Sequence, residues 1–362
     1  MTSIFKIMAL PTAIAASSLL ISNVAFADTN TDIEALKARI DKLSEMQTER
    51  TTPAIAVSGV VEVEVGYATD YNDDKTSDIV AATVALAFEA NIAEGVHVQV
   101  GLLHEEDVTP LEVDEAHISF EKDLLSVNAG VFYIPFGSFA SNLVSDPLTL
   151  DLAETRESTV EVGVSMGPIS TSVYVFNGDV DDNGGAQDKT EMFGLSFTFA
   201  RESGALAYEF GADYINNFAD VGGLEGTVVL SDDYVAGISV DAAVSFGDIN
   251  VFVEYTTAQE EFETADLAFE GEGAKPAAFN IEAGYLLSLG KCETQFAIAY
   301  QGTKEALALG LPEKRIAIAA STLIADNTSL SLEYARNTDY DETEGGTGDD
   351  ATAITLQLAV EF

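Results

Sequence analysis

The chain has 362 residues, with 16 Lys and Arg set against 61 Asp and Glu, for a formal net charge of −45 at pH 7. That balance excludes nucleic acid as a partner, because a phosphate backbone demands a basic footprint. A single Cys excludes a disulfide framework or a cysteine metal site. Although 47% of the residues are hydrophobic, they are spread in alternation rather than gathered in runs.

Residues 1–27 read as an export signal. Lys6 opens it, an apolar stretch follows from Ile7 to Ile21, and Ala25-Phe26-Ala27 offers the small-x-small cleavage pattern, giving a mature start at Asp28. Beyond it, no stretch reaches the ~18 apolar residues of a spanning helix. Residues 28–50 read as a short periplasmic helix. Thr31 and Glu34 have capping-box spacing, and Ile33, Leu36, Ile40 and Leu43 fall at a-d-a-d positions. The reading stays open between a lone amphipathic helix and a small bundle beneath a homotrimer.

Residues 51–362 alternate. Val57, Val61, Val63, Val65 and Tyr67 share one strand face, and Ser58, Glu62 and Glu64 share the other. The same pattern sets Phe279, Ile281, Ala283 and Tyr285 against Asn280 and Glu282, and Phe296, Ile298 and Tyr300 against Glu293, Gln295 and Gln301. None of these apolar faces holds a charge, as a lipid-facing surface requires. Strands are expected near 55–67, 79–91, 96–104, 113–121, 125–134, 157–166, 169–177, 190–200, 205–215, 233–245, 249–257, 276–288, 292–301, 315–324, 328–336 and 351–362. Short connectors such as Gly167-Pro168 and Phe246-Gly247-Asp248 alternate with long ones at 68–78, 105–112, 135–156, 178–189, 216–232, 258–275, 302–314 and 337–350. The expectation is an all-β fold: a transmembrane, antiparallel, up-and-down β-barrel of about sixteen strands in the outer membrane, with short periplasmic turns and long outer loops. The last strand, from Ile354 to Phe362, puts every even residue on an apolar face.

On the polar faces sit Glu62, Glu64, Glu115, Glu121, Asp213, Glu254, Glu282, Glu293 and Glu333, among others. Lining a lumen, such carboxylates bias passage toward cations. Asp179-Val-Asp-Asp-Asn-Gly184 matches the start of a calcium loop, but position 12 is Thr190, so a solvated loop is the better reading. The three histidines, His97, His104 and His117, have no Ser partner on a lipid-facing position, and no G-x-S-x-G turn occurs. No catalytic, metal or cofactor site is expected, and the chain is not read as an enzyme.

The connector after the fifth strand is unlike the others, rich in Phe, Leu and Pro. An apolar loop of this length needs a burial site. Folded into the barrel, it would form a constriction with Pro135, Phe136, Phe139, Asp146, Glu154 and Arg156. Arg156 would be a candidate guanidinium for a ligand carboxylate, or else an ion-pair partner of Glu154 or Glu157.

The motifs Gly130-Val-Phe-Tyr-Ile-Pro-Phe-Gly137 and Ser145-Asp-Pro-Leu-Thr-Leu-Asp-Leu-Ala-Glu-Thr-Arg-Glu-Ser158 resemble the LbtU-type siderophore porin family. The likeness extends to the leading helix, the strand Val57 to Tyr67, Asp114-Glu-Ala-His-Ile-Ser119 and the final Phe362. It implies an outer-membrane receptor for a polycarboxylate ferric siderophore. The stretch 28–54 is too short for the plug of the larger transporters, so uptake would be downhill and plug-free. The alternatives are a cation-preferring diffusion porin for small solutes, and a structural or adhesive barrel acting through its outer loops.

Overall fold

Alternating side chains can satisfy both lipid and water only if the sheet closes on itself, because an open edge would leave backbone groups unpaired in hydrocarbon. The structure, a computed structural model, describes residues 54–180, 190–229, 234–290 and 292–362. The signal (1–27), the helix (28–50) and residues 181–184 of the calcium-like loop lie outside the described residues.

The strands are β1 (Ile55–Thr69), β2 (Lys75–Ala93), β3 (Val96–Glu105), β4 (Thr109–Lys122), β5 (Leu125–Tyr133), β6 (Arg156–Met166), β7 (Ile169–Phe176), β8 (Met192–Ser203), β9 (Leu206–Ile215), β10 (Gly237–Phe246) and β11 (Ile249–Ala258). A two-residue pair, β12 (Ala268–Phe269) and β13 (Glu272–Gly273), forms a small hairpin in the following loop. Then come β14 (Ala277–Leu289), β15 (Cys292–Lys304), β16 (Lys314–Ala325), β17 (Thr328–Thr338) and β18 (Asp350–Glu361). Apart from β12 and β13, each strand pairs antiparallel with its neighbours, and β1 pairs with β18 from Val60↔Glu361 to Thr69↔Thr352. The result is a closed barrel of 16 strands.

Its exterior is apolar: Val57, Val61, Val63, Val65, Ile281, Ile298, Leu356 and Leu358 are all exposed, while Glu62, Glu64, Glu282 and Gln357 on the opposite parity are buried. Each of the seven short turns holds one residue with left-handed backbone, namely Gly95, Asp123, Gly167, Gly204, Gly247, Gly290 and Asn327.

The connectors alternate in length, but the first two outer ones are much shorter than expected. Strand β2 begins at Lys75 and β4 at Thr109, so those connectors are only 70–74 and 106–108. The strand ends project past the apolar belt into water, where Lys75-Thr-Ser-Asp78 needs no apolar face and so carries no alternation. Asp70 closes the first turn by accepting from the Asn72 and Asp74 N–H groups at 2.8 and 2.9 Å.

A globular core sits at the long-loop mouth, inside the wall. Phe136 and Leu152 pack there with Phe218, Val221 and Leu224 of the 216–236 loop, Phe262 and Leu267 of the 259–276 loop, and the inward ends of β7 and β9 at Phe176 and Ile215. Phe136 meets Phe218 edge-on with centroids 6.1 Å apart. The apolar loop thus finds its burial site among other loops.

Candidate functional site

Residues 134–155 leave β5 with few regular backbone bonds, so their N–H groups need acceptors from elsewhere. The barrel wall supplies them as carboxylates. Asp213 on β9 accepts from Gly137 N–H at 3.0 Å. Glu254 on β11 accepts from Ser138 N–H at 2.7 Å, Phe139 N–H at 3.2 Å and the Thr149 hydroxyl at 2.6 Å. Glu282 on β14 takes the Ser141 hydroxyl at 2.8 Å and both the backbone and side-chain amides of Asn142 at 2.6 Å. On β17, Glu333 accepts from the Val144 and Ser145 amides. The Gln301 side-chain carbonyl of β15 takes the Leu148 amide at 3.2 Å. The chain therefore runs inside the barrel, along the wall from β9 to β17.

Two features let it lie flat. Phe139 adopts a φ of +53° and Gly137 one of +96°, which turn the chain onto the wall. Facing it, Ala297, Ala299, Ala317, Ala319 and Ala335 make a small-residue bed on β15–β17 against which Leu143 packs. The segment then returns through α1 (Leu148–Ala153), whose Leu148 and Leu152 are fully buried. Arg315, 5% exposed on β16, holds this return: it donates to the Asp146 carbonyl at 2.8 Å, lies 3.6 Å from Asp151 and bonds Asn337. Burial pushes the Asp151 carboxyl up to about 6 against the pull of Arg315. Burial, and then the neighbouring Asp146, raise Glu154 well above the usual range.

The other expected site residues are scattered. Pro135 is half-buried at the edge of the lumen, and Phe136 anchors the core rather than a passage. Asp146 and Glu154 are buried beside α1. Arg156 reaches across β5 to Glu112 at 3.0 Å and Asp114 at 3.1 Å, and so pairs with β4 rather than with Glu154 or Glu157. Glu64 accepts from Gln357 at 2.9 Å and Glu115 from Gln99 at 2.9 Å, while Glu62 is buried on the same parity as Glu64. Glu121 and Glu293 stand exposed at the short-turn rim. Sequence reasoning passed over Arg315, whose signal was a lone Arg on the parity opposite Ile316 and Ile318.

Among the described residues the opposite wall is open. Ser126, Ser165, Ser170, Ser172, Ser196 and Thr198, from β5 to β8, line a cavity of about 220 Å³ with the Glu161 carboxylate beside them. Asn128 donates to Glu161 at 2.9 Å and steadies it. The barrel interior is thus divided, with a loop bonded to acids and alanines on one side and a bare hydroxyl surface on the other.

Solved structures share this architecture. The outer-membrane channel DcaP of Acinetobacter baumannii superposes with a TM-score of 0.61 at 13% identity, over 87% of this chain and 99% of that one. The fold is a porin fold. An anion-selective porin from Comamonas acidovorans gives a TM-score of 0.59 at 13% identity, over 86% of this chain and 100% of that one. In sequence, the chain is 26% identical over 358 residues to the UPF0422 protein lpg2959 of Legionella pneumophila, covering 86% of this chain and 67% of that protein. A UPF0422 protein of Coxiella burnetii is 27% identical over 231 residues, 62% of this chain. The chain spans about half (50%) of the length of that relative. No family model matches the chain.

Proposed function

We propose that this chain is an outer-membrane diffusion porin for small solutes, with a passage that follows the hydroxyl-lined wall and favours cations. The observation that carries this reading is the division of the interior: the inserted loop is bonded to the β9–β17 side, leaving the β5–β8 side bordering open space. The charge facing that space is acidic, with Glu161 the charged side chain in the cavity lining. The two arginines nearest the loop are already engaged, Arg156 by Glu112 and Asp114, and Arg315 by Asp146 and Asp151. Rings of carboxylates in a pore favour cations. One structural neighbour is named as anion-selective, and the proposal places the opposite sign in this chain's acidic side chains rather than in the shared fold. The measurement is a reversal potential across a planar bilayer under a salt gradient. Cation preference that strengthens at low ionic strength is expected; anion preference, or none, would remove the electrostatic reading.

A second reading, uptake of a ferric siderophore, rests on the motifs at 130–137 and 145–158. In the barrel those motifs build the inserted loop and its return, so the resemblance falls on the segment that shapes the passage. A polycarboxylate would need a cation there, and Arg156 and Arg315 would have to exchange partners to provide one. Iron-siderophore uptake by a deletion strain, with and without the gene restored, separates the two readings. Under either one, residues 1–27 would serve as the export signal and 28–50 as a periplasmic helix, alone or in a small bundle beneath a homotrimer.

A further inference from the structure

We infer that the outer rim of β15–β17 binds the phosphate headgroup of a membrane lipid. Among 16 Lys and Arg in the chain, three stand side by side here on the outward parity: Lys304, Lys314 and Arg336. Lys314 pairs with Gly302, two residues before Lys304, and Arg336 pairs with Ile316, two residues after Lys314. Each cation is therefore the diagonal neighbour of the next, about 7–8 Å away and within reach of long side chains. The stagger of two residues per strand also runs through the outward residues Phe279, Tyr300 and Ile318 below them. Strands in such barrels tilt by about 35–45°, so a stagger of this kind keeps a row level in the membrane. The three cations form one row just outside a row of rings and aliphatic side chains.

Their exposure fits a ligand. The side chains of Lys304, Lys314 and Arg336 are 71%, 48% and 54% exposed. Beneath them Tyr300, Ile316, Ile318 and Tyr334 are open on the same face, where acyl chains would lie. Each cation has one carboxylate beside it: Glu305, Glu313 and Asp350 respectively. Exposed pairs of this kind hold weakly. A phosphate offers several acceptor oxygens to ammonium and guanidinium donors from different strands at once. A lipid supplies that phosphate at the right height and buries its tails on the apolar belt.

The test uses the full barrel in an uncharged detergent, with lipid retention read by native mass spectrometry. Short-chain phosphatidic acid is the probe, and diacylglycerol of the same chain length is the phosphate-free control. Phosphatidic acid should be retained over diacylglycerol. Replacing Lys304, Lys314 and Arg336 together with Gln should cut retention about tenfold or more, from about fivefold per basic residue less the effect of the neighbouring acids. Lys304→Arg with Lys314→Arg should keep it, which rules out a folding defect. Lys122→Gln with Arg201→Gln, at the opposite rim, should leave it unchanged. Equal retention by the triple variant, an equal fall in the opposite-rim variant, or displacement of the lipid by an equal concentration of inorganic phosphate would each overturn the inference.

Discussion

Glu254 is the sharpest place to probe the inserted loop, because one carboxylate serves three donors. Glu254→Ala leaves the Ser138 and Phe139 amides and the Thr149 hydroxyl without their acceptor. Hydrogen bonds to charged groups contribute about 1.5–3 kcal/mol each, though lumenal water recovers part of the loss. About 1 kcal/mol per donor is then a conservative figure, or about 3 kcal/mol for local opening of the loop. At 1.36 kcal/mol per decade, opening becomes about a hundredfold more frequent. Hydrogen–deuterium exchange across residues 134–155 reads this directly, with the amides of Ser138 and Phe139 losing about two decades of protection while β11 itself keeps its own. Single-channel records of the same variant should show added current noise. Wild-type exchange at Ser138 and Phe139 would refute the tether, and would mean that the apolar core alone holds the loop.

Deleting residues 139–152 should raise single-channel conductance, and an unchanged value would put the loop outside the permeation path. Val63→Arg or Ile281→Arg should each cost about 2–4 kcal/mol of folding into bilayers, whereas Ser58→Arg should be tolerated; equal folding of all three, measured by resistance to heat during electrophoresis, would contradict the assigned faces. Asp151 has its folded pKa at about 6, above the unfolded value of about 3.9, so the folded state holds the extra proton between these values. Stability is greatest below the lower value and falls by up to about 3 kcal/mol as pH rises toward 6. Asp151→Asn should flatten the loss of loop protection between pH 4 and 6 in exchange measurements, and an unaltered profile would exclude Asp151 as its source.

The wall was legible because lipid contact leaves a period-two record: Val63 and Ile281 face out, and Glu62 and Glu282 face in. That record stops where both faces meet water, which is why the starts of β2 and β4 were placed late. The insertion of the 134–155 segment was foreshadowed by its apolar composition and its position after β5. What composition could not convey was the purpose of the facing acids. Read as selectivity groups, Asp213, Glu254, Glu282 and Glu333 are hydrogen-bond acceptors for a loop that lacks regular partners. Their role depends on contacts more than 70 residues apart in the chain, between Gly137 and Asp213 at the nearest. Arg156 stands beside the motif in sequence, yet it pairs with Glu112 and Asp114 of β4. Arg315 holds the loop from β16, and proximity in sequence gave no hint of it.

The alanine bed on β15–β17 has a consequence for engineering. Because Leu143 and the loop backbone fill the space above Ala297, Ala299, Ala317, Ala319 and Ala335, enlarging any of these would lever the insert away from its seat, so that half of the barrel tolerates little change. Among the described residues, the serine-rich stretch of β5–β8, apart from the core contacts of Phe176 and Met192, carries no such cargo. On the proposed porin reading, charges grafted at Ser165, Ser170 or Thr198 would retune what passes without disturbing the seat of the inserted loop, which makes the two sides separately adjustable parts of one closed sheet.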